Sequence, residues 1–154
     1  MKQILQDMAS GLTSIIEAPA PALADNSLKI ATSVSLISAG TERMLVGFGK
    51  ASYFNKARQQ PEKVKMVLDK IGTDGLSTTL SAVKSKLSTP MPLGYSNVGV
   101  IESMSKDITG FKVGDRVVSN GSHADMVVVK KNLCARIPDG VDDDSAVFTV
   151  VGSI

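Results

Sequence analysis

Cysteine and histidine occur once each among the 154 residues, as Cys134 and His123. One cysteine excludes an internal disulfide framework, and the two residues together cannot assemble a tetrahedral Cys/His zinc site. A reducing, cytoplasmic setting is expected of such a chain. Tryptophan is absent, and two Tyr and four Phe make up only 4% of the residues, so aliphatic side chains must fill the core. So few aromatics argue against extensive stacking on nucleic-acid bases. No apolar run approaches the roughly 20 residues that span a bilayer, and Met1-Lys2-Gln3-Ile4-Leu5 leads into Gln6-Asp7, not into a signal-peptide core. The formal net charge of +2 excludes nucleic-acid binding driven by gross charge. Neither nucleic acid nor membrane is therefore expected as a partner.

What is present suits one globular domain: 43% hydrophobic residues against 21% charged ones. Ile4-Leu5-Gln6 and Thr13-Ser14-Ile15-Ile16-Glu17 read as short strands around Ser10-Gly11, followed by the link Ala18-Pro19-Ala20-Pro21-Ala22. Residues 27–37 alternate, with Leu28, Ile30, Thr32, Val34 and Leu36 on one side, and predict a half-buried strand. From about Thr41 to Leu87 the period becomes helical. Val64, Val67, Leu68 and Ile71 share one face, and Leu76, Leu80, Val83 and Leu87 share another. Pro61 opens the first helix and the stretch from Gly72 to Gly75 breaks the pair, which predicts a helical hairpin. Residues 50–89 carry eight Lys/Arg against three acids, a net +5, leaving −3 elsewhere; this reads as a solvated face or as a partner surface.

Beyond Pro90-Met91-Pro92 the strand pattern returns in short pieces at residues 98–104, 116–119, 124–129 and 133–137, spaced by Gly, Asp, Asn and Pro. Regular short strands of this kind predict a barrel or sandwich. Pro138-Asp139-Gly140 marks a turn and Asp142-Asp143-Asp144-Ser145 an acidic helix start, whereas Val147, Val150 and Val151 leave the last segment undecided between helix and strand.

Four runs then follow one another: Pro92-Leu93-Gly94-Tyr95-Ser96-Asn97-Val98-Gly99-Val100-Ile101, Ile108-Thr109-Gly110-Phe111-Lys112-Val113-Gly114-Asp115-Arg116-Val117-Val118, Ala124-Asp125-Met126-Val127-Val128-Val129 and Ile137-Pro138-Asp139-Gly140-Val141. In that order they resemble the N-terminal, GroES-like catalytic domain of the medium-chain, zinc-type alcohol dehydrogenase superfamily. The resemblance is close over residues 90–150 and loose over 1–49. It implies a mainly β fold with helices (α+β), a partly open GroES-like β-barrel with an inserted helical hairpin. Residues 1–49 and 90–141 would form the barrel, 50–89 a basic helical insertion, and 142–154 the start of a connection to a nucleotide-binding domain outside the chain.

The resemblance breaks where zinc-dependent members carry metal. Their Cys-Gly-Ser/Thr-Asp run corresponds here to Ala39-Gly40-Thr41-Glu42, and their Gly-His-Glu run to Gly94-Tyr95-Ser96. With two of about three ligands replaced, no zinc is expected, and the inserted segment lacks the cysteines of a structural site. The family's zinc-free reductase branches imply hydride transfer without metal, with catalytic candidates Thr41, Tyr95 and Glu42. Thr41 stands where alcohol-oxidising members place a proton-relaying hydroxyl, and Tyr95 offers a phenol in place of the imidazole. Each has a structural alternative: Thr41 as a helix cap, Tyr95 as a packed rim residue and Glu42 as a first-turn helix charge. His123 reads as a turn residue beside a strand start, and Cys134 as a buried, inert thiol.

The expected function is the substrate side of an NAD(P)-dependent oxidoreductase acting on a small carbonyl or alcohol. NAD or NADP would bind mainly to a C-terminal Rossmann domain outside the chain, since no dinucleotide fingerprint occurs in residues 1–154. On that reading the chain alone is inactive, and a homo-oligomer is compatible with it. The alternative is a non-catalytic binding or assembly module that works through the basic helical segment.

Overall fold

The computed structural model describes residues 1–152. In chain order these form β1 (Lys2–Gln6), β2 (Thr13–Glu17), β3 (Ser27–Ser35), α1 (Thr41–Lys50), α2 (Tyr53–Gln59), α3 (Pro61–Asp74) and α4 (Leu76–Leu87). There follow β4 (Met91–Pro92), β5 (Asn97–Met104), β6 (Arg116–Ser119), β7 (Met126–Lys130), β8 (Cys134–Arg136), α5 (Asp143–Ala146) and α6 (Thr149–Gly152). The chain divides into two compact units, one comprising Met1–Ile4, Ile15–Glu42 and the chain from Pro92 onward, the other Leu5–Ser14 and Arg43–Met91.

The first unit is built on an antiparallel sheet of order β7-β3-β5-β6-β8. A smaller sheet has the order β2-β1-β4. Neither sheet closes on itself, so the architecture is mixed α and β with a partly open barrel, as expected. Because successive side chains of a strand face opposite ways, the five-stranded sheet buries two separate clusters. Leu28, Ile30, Ile101, Ile108, Val117, Val127 and Val129 form one; Val98, Val118, Ile137, Ala146 and Val147 form the other. Val117 and Val118 are neighbours in β6 and go to different clusters. The alternation read in β3 is real, but it does not serve one core. Leu28 and Ile30 are fully buried in the first cluster, whereas Val34 and Leu36 pack against the second. Between them the register with β5 slips at Thr32/Val34, and a slip of that kind turns the following side chains to the opposite face.

Turn chemistry sets the strand ends. Gly114 takes φ +91°, its N–H bonds the Ile101 carbonyl at 2.9 Å, and the Asp115 carboxylate accepts the Lys112 N–H at 3.0 Å, which reverses the chain into β6. Asp142 caps α5 by accepting the Ser145 N–H at 2.7 Å. The undecided last segment is helical as far as Gly152, and the two residues after it lie outside the described residues.

The second unit is helical, as the period from about Thr41 to Leu87 predicts; the expected hairpin is α3 and α4, and α1 and α2 precede it. Pro61 opens α3 as predicted, but Gly72 sits inside the helix and the break falls at Gly75 alone, whose φ of +85° no right-handed helix accommodates. The predicted apolar faces are only partly covered. Val64, Val67, Ile71, Val83 and Leu87 are half-buried, whereas Leu68, Leu76 and Leu80 are 61%, 58% and 53% exposed. Lys56 departs from the solvated-face reading, being buried with its Nζ donating to the Met8 carbonyl at 2.6 Å.

Candidate functional site

Thr41 and Tyr95, 54 positions apart, meet in the first unit: the Tyr95 hydroxyl donates to Thr41 Oγ1 across 3.4 Å, at an exposed position. Thr41 is the first residue of α1, and Tyr95 lies in the segment between β4 and β5. That segment is fixed on both sides of the phenol. Before it, Gly94 takes φ +91°, and the Leu93 N–H bonds the Ile4 carbonyl at 3.1 Å. After it, the buried Ser96 hydroxyl donates to the Val147 carbonyl at 2.5 Å. The phenol is thus carried on an anchored backbone and faces solvent from it.

Hydrogen bonds tune the phenol. The Ser38 side chain first, and then Thr41, stabilise the phenolate and hold Tyr95 below the usual tyrosine range; slight desolvation and the charge of Glu42 oppose them. A phenol so placed is a better acid than a free one and can donate a proton to a substrate oxygen.

Glu42 follows Thr41 but does not face solvent. It is 5% exposed, and its Oε1 accepts the Ser38 N–H at 2.9 Å, a reach back across the start of α1. Its Oε2 meets His123 Nε2 at 2.9 Å, and His123 Nδ1 meets Ser35 Oγ at 2.9 Å. A carboxylate only accepts hydrogen bonds, so Nε2 carries a hydrogen, and in the neutral ring Nδ1 accepts from the Ser35 hydroxyl. The imidazole that reads locally as a turn residue therefore lies buried beneath the start of α1. Its neighbourhood in sequence carries no sign of this, because its partners are 81 and 88 positions away. The carboxylate of Glu42 can hold and orient, but it reaches no open surface.

The resemblance sets Ala39 and Tyr95 against the ligand positions of zinc-dependent members, and neither is a thiolate or an imidazole; Glu42 and His123 meet as a pair. Among the described residues no three or more His, Cys, Asp and Glu group so as to hold a metal ion. Cys134 is remote in role as well: it packs half-buried against the first core cluster, and burial pushes its thiol up to about 11. A groove of about 450 Å³ elsewhere in the first unit is lined by Gln3, Pro21, Asn120, Val127 and Leu133 among others and includes none of the candidate residues.

The chain is 28% identical over 98 residues to a quinone oxidoreductase of Pseudomonas aeruginosa, a match that takes in 60% of this chain and 30% of the relative. Its fold resembles the crystal structure of the quinone oxidoreductase of Pseudomonas syringae pv. tomato DC3000, with a TM-score of 0.62 and 16% identity over 95% of this chain and 36% of that one. It also resembles the quinone oxidoreductase of Thermus thermophilus, solved alone and with NADPH, with a TM-score of 0.56 and 15% identity over 96% of this chain and 36% of that one. The chain thus spans about a third of the length of these relatives. The family model for the alcohol dehydrogenase GroES-like domain matches residues 61–139, just over half of the chain, and its match begins at the first residue of α3, within the segment that the order of motifs set apart. On that match the chain belongs to the alcohol dehydrogenase GroES-like domain family.

Proposed function

We propose that this domain forms the substrate side of an NAD(P)-dependent oxidoreductase that transfers a hydride to or from a small carbonyl or alcohol, quinones included, without zinc. The observation that carries the reading is the exposed Tyr95–Thr41 hydroxyl pair at 3.4 Å, formed by the two residues that the resemblance to zinc-type members sets against a zinc ligand and a proton-relaying hydroxyl. The nicotinamide, when bound by a nucleotide domain, supplies or accepts the hydride. Tyr95 and Thr41 do the rest from this chain. Their hydroxyls bracket a carbonyl oxygen, donate hydrogen bonds as negative charge develops on it, and Tyr95 releases its proton to the resulting alkoxide. In the reverse direction the phenolate takes the alcohol proton. Glu42, being buried, sets the position of Thr41 and takes no proton from substrate.

The similarity to quinone oxidoreductases supports the substrate class. The residue division 1–49 with 90–141, 50–89 and 142–154 and a cytoplasmic setting belong to the same proposal. In the enzyme that joins this domain to its nucleotide domain, Tyr95→Phe lowers kcat by about 100-fold, within the usual range for a lost general acid. Unchanged kinetics in Tyr95→Phe and Thr41→Ala would return both residues to structural roles. The 154-residue chain alone is expected to be inactive, and turnover of NAD(P)H with a quinone by that chain would contradict the division of labour.

A second reading is favoured by one observation: Leu68, Leu76 and Leu80 stand more than half exposed on a helical hairpin within the +5 segment. That surface suits an acidic, apolar partner, and binding unaffected by Tyr95→Phe but lost on Leu76→Asp with Leu80→Asp would support it.

A further inference from the structure

Resting on the reading of Thr41 and Tyr95 as the reacting pair, we propose that His123 is the residue that positions both. Its ring is 5% exposed and holds one partner on each side. Through Nε2 it fixes Glu42, the residue after Thr41, at 2.9 Å, and through Nδ1 it is held by Ser35 at the end of β3 at 2.9 Å. The second connection runs to Tyr95 through the backbone. A β-carbon on Gly94 would lie 2.7 Å from His123 Cγ, Nδ1 and N, so the chain before Tyr95 passes directly over the imidazole, and only glycine allows it. The His123 N–H also bonds the Leu93 carbonyl at 2.8 Å, and the His123 carbonyl accepts from the Ile4 N–H at 3.0 Å. One imidazole therefore sits under the residue after Thr41 and under the residue before Tyr95. It touches neither hydroxyl, so its part is positioning, and it acts by keeping Ser38 and Thr41 within reach of the phenol.

The chain makes this testable without any activity, because it contains one histidine and two tyrosines. In a Tyr53→Phe background Tyr95 is the only phenol, and its ionisation can be followed by ultraviolet absorbance in the 154-residue chain. Ser38 and Thr41 hold that phenol low, so loosening them moves its midpoint upward. His123→Leu, which keeps volume but removes both ring nitrogens, is expected to raise the midpoint, and His123→Gln, which restores an N–H donor toward Glu42, to bring part of it back. A folded His123→Leu variant whose titration superimposes on that of the parent overturns the proposal, since a residue that merely fills the core would lower Tm and leave the phenol alone. Should His123→Leu fail to fold, nitrogen-15 spectra of the single imidazole in the unmutated chain decide. A ring protonated at Nε2 supports the Glu42 contact, and a bare Nε2 overturns it. The functional reading fails separately: a Tyr95→Phe enzyme of unchanged kcat removes the role of the pair while leaving the phenol titration to judge His123.

Discussion

Gly99, paired with Thr32 across β5 and β3, lies so close to the preceding Ala31 that a β-carbon on Gly99 would stand 2.1 Å from the Ala31 carbonyl oxygen and 2.8 Å from its carbon. The obstruction is backbone, which cannot swing away as a side-chain tip can. Gly99→Ala is therefore expected to cost about 3 kcal/mol or more, read as a lowered denaturation midpoint. Gly110, with φ +85° and open space around its Cα, bears only conformational strain, and Gly110→Ala should cost about 1 kcal/mol. Equal losses at the two sites would refute the distinction.

Under the proposed role of Tyr95 as proton donor, its phenol predicts an alkaline limit to activity in an enzyme that joins this domain to a nucleotide domain. Its pKa lies below the ordinary value of 10.0, so the proton donor is lost at lower pH than for a free phenol, and the rate of carbonyl reduction falls correspondingly early. Removing a group that stabilises the phenolate must raise the pKa. Thr41→Ala should thus move the alkaline limb of the kcat profile upward while lowering the plateau, and Ser38→Ala should move it further, its bond being the larger influence. A limb that stays in place in both variants would detach Tyr95 from the profile.

Cys134 should be chemically quiet. Burial raises its thiol from 9.0 to about 11, so at pH 8 the folded chain holds about 100-fold less thiolate than the unfolded one. Labelling with Ellman's reagent should slow by about that factor relative to labelling in denaturant. The sign for stability follows: this contribution is present in full below pH 9 and is lost as pH rises toward 11, because only the unfolded chain releases the proton early. Fast labelling of the folded chain would mean that the thiol is open to solvent.

The strands were legible because their alternation and their Gly, Asp and Pro boundaries are local properties, and the order of turn motifs from Pro92 to Val141 carried the family. The helices were legible for the same reason, but what their faces cover was not. Leu68, Leu76 and Leu80 have the spacing of buried residues and stand exposed, since periodicity reports a helix and not its neighbour. At the site, the resemblance singles out Thr41, Tyr95 and Glu42 one by one, and it is the fold that sets the first two within 3.4 Å of each other. His123 was opaque. Its contacts depend on the β3–β5 register, which pairs Ser35 with Asn97, and on the path of the chain past Gly94; neither can be read around residue 123.

The ladder between β3 and β7 joins Ser27 to Lys130, and that span has a consequence for synthesis. While the chain emerges from a ribosome, α3 and α4 can pair as soon as both are out, since one residue, Gly75, separates them. The strand β3 is made earlier and must wait longer. Its partner β5 follows some 60 residues later, and β7, which completes its other edge, almost 100 residues later. For that interval β3 carries Leu28 and Ile30 uncovered, with both rows of its backbone groups unpaired, which makes it the segment of the nascent chain most in need of protection from aggregation.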